Sequence, residues 1–167
     1  MNIHVKVISR EISEYLWRAE KTVCTAESCT SGLVAASLAA LPGASNYFRG
    51  GVVTYVNELK EELLGVPHEM LEERGAVSED VARAMVSGAL ERLHTDYAVA
   101  VTGYAGPGGG PEAAVGTIYV AVGTKEEILV RELRGDDGRE ENVVRATLSA
   151  LQLLLEKLKN DYPEAEE

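Results

Sequence analysis

Tyr97-Ala98-Val99-Ala100-Val101 is the stretch that leaves this chain the fewest choices. Five consecutive apolar residues without polar alternation, ended by Thr102-Gly103, predict a strand buried on both faces. Such a strand needs a layer on either side. The remaining pattern supplies helices for both. Val5, Ile8, Ile12, Tyr15, Leu16 and Ala19 recur at helical spacing and predict a first amphipathic helix. Thr22-Val23-Cys24-Thr25 reads as a strand, and the Ala/Leu-rich run 33–41 as a helix that Pro42-Gly43 breaks. Gly50-Gly51 opens a β-branched strand over 52–56, and a short helix follows from Asn57 to Leu64. Pro67 suits the first turn of another short helix, ending near Gly75. Ser78 is placed to cap a helix that keeps its apolar period to Leu93. Strands over 115–122 and 128–133 form a hairpin. A final helix runs over 139–159 with Val144, Leu148, Leu151, Leu155 and Leu158 towards a core, and an acidic tail, 161–167, frays. The expected architecture is a three-layer α/β/α sandwich on a mixed, mostly parallel sheet, in one domain over 1–167.

Charge and cysteine usage narrow the function classes. The net charge of −11 argues against nucleic acid as a partner, because phosphate contacts need a basic face. Cys24 and Cys29 are too few for a disulfide framework and too far apart for a redox pair, and they fit a reduced, cytoplasmic protein. His4, His68 and His94 stand alone, so no metal site is expected. No signal peptide or membrane-length apolar run is read in the sequence.

Ligands of open α/β sheets lie beyond the carboxyl ends of strands. Three loops qualify, after Thr25, Val56 and Val101, and they hold the chain's most unusual residues. Ser28 follows the first. It can act as a nucleophile, or its hydroxyl can cap the next helix. The loop 104–114, rich in glycine and proline, can converge N–H groups on an anion or serve as a flexible hairpin. It matches neither a P-loop nor a dinucleotide fingerprint. Tyr55 and Lys60 reach the same rim by this reading. A buried lysine of lowered pKa can take a serine proton and a phenol can relay it, whereas a solvated helix lysine would do neither.

Ala26-Glu27-Ser28-Cys29-Thr30-Ser31-Gly32, Gly50-Gly51-Val52-Val53-Thr54-Tyr55-Val56-Asn57-Glu58-Leu59-Lys60, Leu64-Gly65-Val66, Gly75-Ala76-Val77-Ser78, Thr102-Gly103-Tyr104-Ala105-Gly106-Pro107-Gly108-Gly109 and Val115-Gly116-Thr117 occur in this order. Together they resemble the CinA C-terminal domain family, the nicotinamide mononucleotide deamidases also called PncC, in a stand-alone form. The resemblance implies hydrolysis of nicotinamide mononucleotide to nicotinic acid mononucleotide and ammonia, in pyridine nucleotide salvage, with no cofactor. It places the nucleophile on Ser28 and its assistants on Tyr55 and Lys60. It puts substrate contacts on Cys29, Thr30, Ser31, Gly32, Asn57, Thr102, Gly103, Ala105 and Gly106, with Arg145 near the phosphate. A homodimer is expected. The chain departs from the family pattern at Ser31 (usually Gly), Val56 (usually Ser) and Tyr104 (usually a smaller aliphatic residue).

The expected mechanism is acyl transfer. Lys60 takes the Ser28 proton, directly or through Tyr55, and N–H groups at the start of the following helix hold the oxyanion. Two alternatives stand beside it: a non-catalytic nucleotide-binding module, in which the N–H-rich turns hold a nucleotide phosphate and Ser28 merely caps, and an amidase for another pyridine nucleotide or carboxamide.

Overall fold

Val23, Val99 and Val101 point to one side of the central sheet, and Cys24, Ala26, Ala98 and Ala100 to the other, as the period-2 pleat requires. A computed structural model describes residues 1–163. Its elements are α1 (Ile3–Ala19), β1 (Val23–Glu27), α2 (Leu33–Leu38), β2 (Phe48–Val53), α3 (Asn57–Leu64), α4 (His68–Arg74), α5 (Glu79–Leu93), β3 (Tyr97–Gly103), β4 (Ile118–Gly123), β5 (Ile128–Leu133) and α6 (Arg139–Asp161). The strand order is β2-β1-β3-β4-β5. β2, β1 and β3 run parallel, while β4 and β5 each pair antiparallel with their neighbour. The sheet is therefore mixed, with its parallel half carrying all three candidate loops at one rim.

Two apolar layers sandwich the sheet. The valines meet α1, α2 and α6 through Ile12, Leu16, Val34, Leu38, Leu151 and Leu154. The alanines meet α3, α4 and α5 through Leu64, Leu71, Met85, Val86 and Ala89. α3 and α5 cross closely at Gly88, where a Cβ would lie 1.9 Å from the Leu64 carbonyl oxygen. Ser78 caps α5 as expected, accepting from the Val81 N–H.

Several expectations are corrected. β2 occupies 48–53, not 52–56. The Gly50-Gly51 pair lies inside it because Gly51 passes against Thr25 so closely that a Cβ would sit 2.0 Å from Thr25 Oγ1. Those glycines serve close strand approach, not a turn. Tyr55 and Val56 thus lie beyond the strand and are exposed. α2 stops at Leu38. The hairpin's first strand starts at Ile118, because Thr117 closes a turn by donating to the Ala114 carbonyl. Val144 is exposed, and α6 buries a broader face including Asn142, Ala146, Ala150, Leu151 and Leu154. Of the tail expected to fray, Asp161 is helical, with its carboxylate accepting from Tyr97 and Lys157. Residues 164–167 lie outside the described residues.

Candidate active site

The turn after β1 is shaped by a buried carboxylate. Glu27 ends the strand, 1% exposed, and no cation pairs with it among the described residues. Its Oε1 accepts from Thr30 Oγ1 (2.6 Å), the Gly32 N–H (3.2 Å) and the Val34 N–H (2.9 Å), and Oε2 accepts from the Ala35 N–H (3.0 Å). Glu27 therefore takes the donors that α2 would offer at its N-terminus. This overturns two expectations. Ser28 does not cap α2, whose N-cap is Gly32 with no side-chain bond. The N–H groups of that helix's first turn are not free for an oxyanion or a phosphate.

The N–H groups left at the turn are earlier ones. Ser28 donates its own to Val101 and Ser31 donates to Ser28. Among the described residues no hydrogen bond uses the N–H of Thr30, and that of Cys29 is turned to its own sulfur alone. These two follow the candidate nucleophile directly, the position from which backbone donors can reach an oxyanion formed on its acyl carbon.

Lys60 comes from the second of the three loops, in the first turn of α3. It is 1% exposed. Its Nζ donates to the Thr54 carbonyl at 2.6 Å and lies 3.1 Å from Ser28 Oγ. No carboxylate pairs with it among the described residues. Burial lowers its pKa to about 8. At pH 7 about a tenth of Lys60 is then neutral. In the ammonium form Nζ donates to Oγ. In the neutral form the same separation lets the serine hydroxyl donate to nitrogen, the geometry of a base beside a nucleophile. The solvated-lysine reading of Lys60 does not fit.

A cleft of about 640 Å³ opens over this pair, lined by Ser28, Tyr55, Asn57, Lys60, Thr102, Gly103, Tyr104 and Glu112 among others. Thr102 is held by donating to the Ala76 carbonyl at 2.8 Å. Tyr55 borders the cleft, but its hydroxyl is 2.8 Å from Arg139, to which it serves as acceptor, and it bonds neither Ser28 nor Lys60. Cys29 is buried beside the serine, its thiol pushed up to about 11 chiefly by burial, which keeps it protonated and unreactive. Thr30 and Gly32 are engaged with Glu27. Ser31 is exposed and lies outside the cleft. Ala105 and Gly106 are buried, and their carbonyls accept from Asn142 and Arg139 respectively.

Arg145 is not brought to the cleft. It binds the Gly135 carbonyl at 2.6 Å and Asp137 at 3.1 Å, tying together the segment between β5 and α6. Arg74 is among the residues that line the cleft, paired with Asp80, and Arg139 lies behind Tyr55, joining it to the glycine loop, close enough to influence Cys29. Sequence reasoning missed Glu27, Arg139, Asn142 and Glu112. Asn142 is fully buried and holds the glycine loop to α6 through Ala105. Its polarity at an otherwise apolar helix position was the signal available. Among the described residues no three His, Cys, Asp or Glu side chains gather as a metal site would require, and no helix is long and apolar enough to cross a membrane.

The family model of the CinA C-terminal domain matches residues 5–158. A CinA-like protein of Mycobacterium marinum is 51% identical over 139 residues, covering 81% of this chain and 32% of the relative. A putative competence-damage inducible protein of Symbiobacterium thermophilum is 52% identical over 118 residues, covering 70% of this chain and 28% of its own length. The chain thus spans about a third of the curated relatives it matches. Among solved structures, the competence/damage inducible protein CihA of Agrobacterium tumefaciens superposes with a TM-score of 0.89 at 39% identity, over 95% of this chain and 99% of that one.

Proposed function

The chain belongs to the CinA C-terminal domain family, and we propose that it is an amidase that hydrolyses the carboxamide of nicotinamide mononucleotide to the carboxylate and ammonia. One observation carries this reading: a buried lysine with no carboxylate partner lies 3.1 Å from a serine hydroxyl at the floor of a cleft. Neutral Lys60 takes the Ser28 proton as Oγ bonds to the amide carbon. The N–H groups of Cys29 and Thr30 receive the oxyanion, in place of the helix start expected from sequence. As the C–N bond breaks, the Lys60 ammonium returns its proton to the leaving nitrogen, which departs as ammonia. Water then attacks the acyl-serine with Lys60 again as base, releasing the carboxylate and restoring Ser28. Tyr55 is not on this proton path. With Arg139 behind it, it forms a polar margin of the cleft, and Arg139 is the cation we assign to the substrate phosphate.

Of the N–H-rich turns on which the binding-module alternative rests, the one at the start of α2 is occupied by Glu27. The test is ammonia release from nicotinamide mononucleotide by the full chain and by Ser28→Ala. Ser28→Ala should lower the rate at least about a thousandfold with an unchanged Tm. Equal rates in the two proteins would refute a serine nucleophile. Nucleotide binding without ammonia release from the unaltered chain would favour the module.

A further inference from the structure

Tyr104 and Glu112 form a pair on the flank of the cleft that the mechanism leaves unused. Both come from the segment between β3 and β4, and both line the cleft that holds Ser28 and Lys60. The Tyr104 hydroxyl donates to Glu112 Oε1 at 2.6 Å, and the Val77 N–H donates to the same oxygen at 3.2 Å. Burial, and then the carboxylate beside it, push the Tyr104 phenol up to about 12, so it remains a donor across the working range. Two glycines leave room for the pair. A Cβ on Gly110 would lie 2.1 Å from the Tyr104 hydroxyl oxygen, and one on Gly75 would lie 2.6 Å from the Glu112 carboxyl carbon.

The carboxylate is thus fixed through one oxygen only. Among the described residues neither a cation nor any other donor is bonded to Glu112, and Oε2 has no partner. An anion held rigidly in a binding cleft with one open oxygen is an acceptor for hydroxyl groups. Vicinal sugar hydroxyls are the ligand groups that a fixed carboxylate takes in other nucleotide sites. Repulsion makes the same oxygen a poor neighbour for a phosphate, which is left to Arg139 on the Tyr55 side.

We propose that Glu112, positioned by Tyr104, is the specificity-determining residue that accepts the ribose hydroxyls of the substrate, so that the cleft selects an N-ribosylated pyridine carboxamide. This rests on the amidase reading above and extends it to the sugar. Tyr104 itself is a positioning residue.

The experiment compares two ligands that differ only in those hydroxyls, nicotinamide mononucleotide and its 2′,3′-dideoxy analogue. Each is titrated calorimetrically into the full chain carrying Ser28→Ala, alone or together with Glu112→Gln or Tyr104→Phe. Glu112→Gln should weaken binding of the mononucleotide at least about tenfold, the size expected for a charged hydrogen bond, and change the dideoxy analogue by less than about threefold. Tyr104→Phe should act in the same hydroxyl-dependent sense with a smaller effect. Equal weakening of both ligands, or of neither, would overturn the proposal, because a purely structural role cannot distinguish them. Binding of neither ligand by the Ser28→Ala chain would instead overturn the nucleotide reading itself, and this inference with it.

Discussion

Ser31 holds a left-handed backbone, φ 52°, a conformation that favours glycine. Its side chain is exposed, and its N–H closes the turn onto the Ser28 carbonyl. The serine therefore carries a conformational cost at the turn that holds the nucleophile and gains no contact in the cleft. Ser31→Gly should stabilise the protein by about 0.5–1 kcal/mol in denaturant melts, with ammonia release unchanged. A loss of activity would show that the serine hydroxyl meets the substrate after all. The hydroxyl was visible in the sequence at this residue, but its meaning was not. A hydroxyl beside a nucleophile suggests chemistry, and only the backbone angle shows that it answers a question of conformation. Arg145 teaches the same point. A helix arginine can be recognised from sequence, whereas which of two, six residues apart, reaches Tyr55 at the cleft depends on where α6 begins and how it is rotated.

At the scale of elements, the turn from β1 into α2 is organised by Glu27. Strand, turn and helix were legible from β-branched residues giving way to small hydroxyl residues and then to Ala and Leu. The capping agent was not, because Ser and Thr are the ordinary caps and a glutamate at the end of a strand looks like a surface residue. Its four donors identify it as the cap in space, reaching forward from the strand. Glu27→Gln keeps the shape and replaces one acceptor oxygen with a donor group. It should cost about 1–3 kcal/mol of stability, because a buried N–H of α2 loses its partner. The rate of ammonia release should fall as well, since the same bonds fix the Ser28 turn. Unchanged stability would mean that water or a rotated backbone satisfies α2 in place of the carboxylate. The misplacement of β2 belongs to this scale too. A Gly-Gly pair signals a turn locally, and only the neighbouring strand reveals that Gly51 is small because Thr25 lies against it.

The whole molecule brings together groups that are far apart in the chain. Ser28 and Lys60 are 32 residues apart, and their 3.1 Å contact exists because β1 and β2 run parallel and end at one rim. The layered architecture was readable from the apolar run of β3, since a strand buried on both faces demands both layers. The burial of Lys60 was not, because its amine is enclosed by Thr54 and Ser28, which the chain brings to it only through tertiary packing. That burial is also what makes the lysine a base. The central claim, that Lys60 in its neutral form activates Ser28, is tested most directly by the pH dependence of kcat/KM for ammonia release between pH 6 and 10. A lysine whose pKa is lowered by burial becomes neutral as the pH rises through that value. The rate should therefore climb about tenfold per pH unit below about 8 and level off above it. A flat profile, or a rate that falls as the pH rises from 6 to 8, would contradict the account.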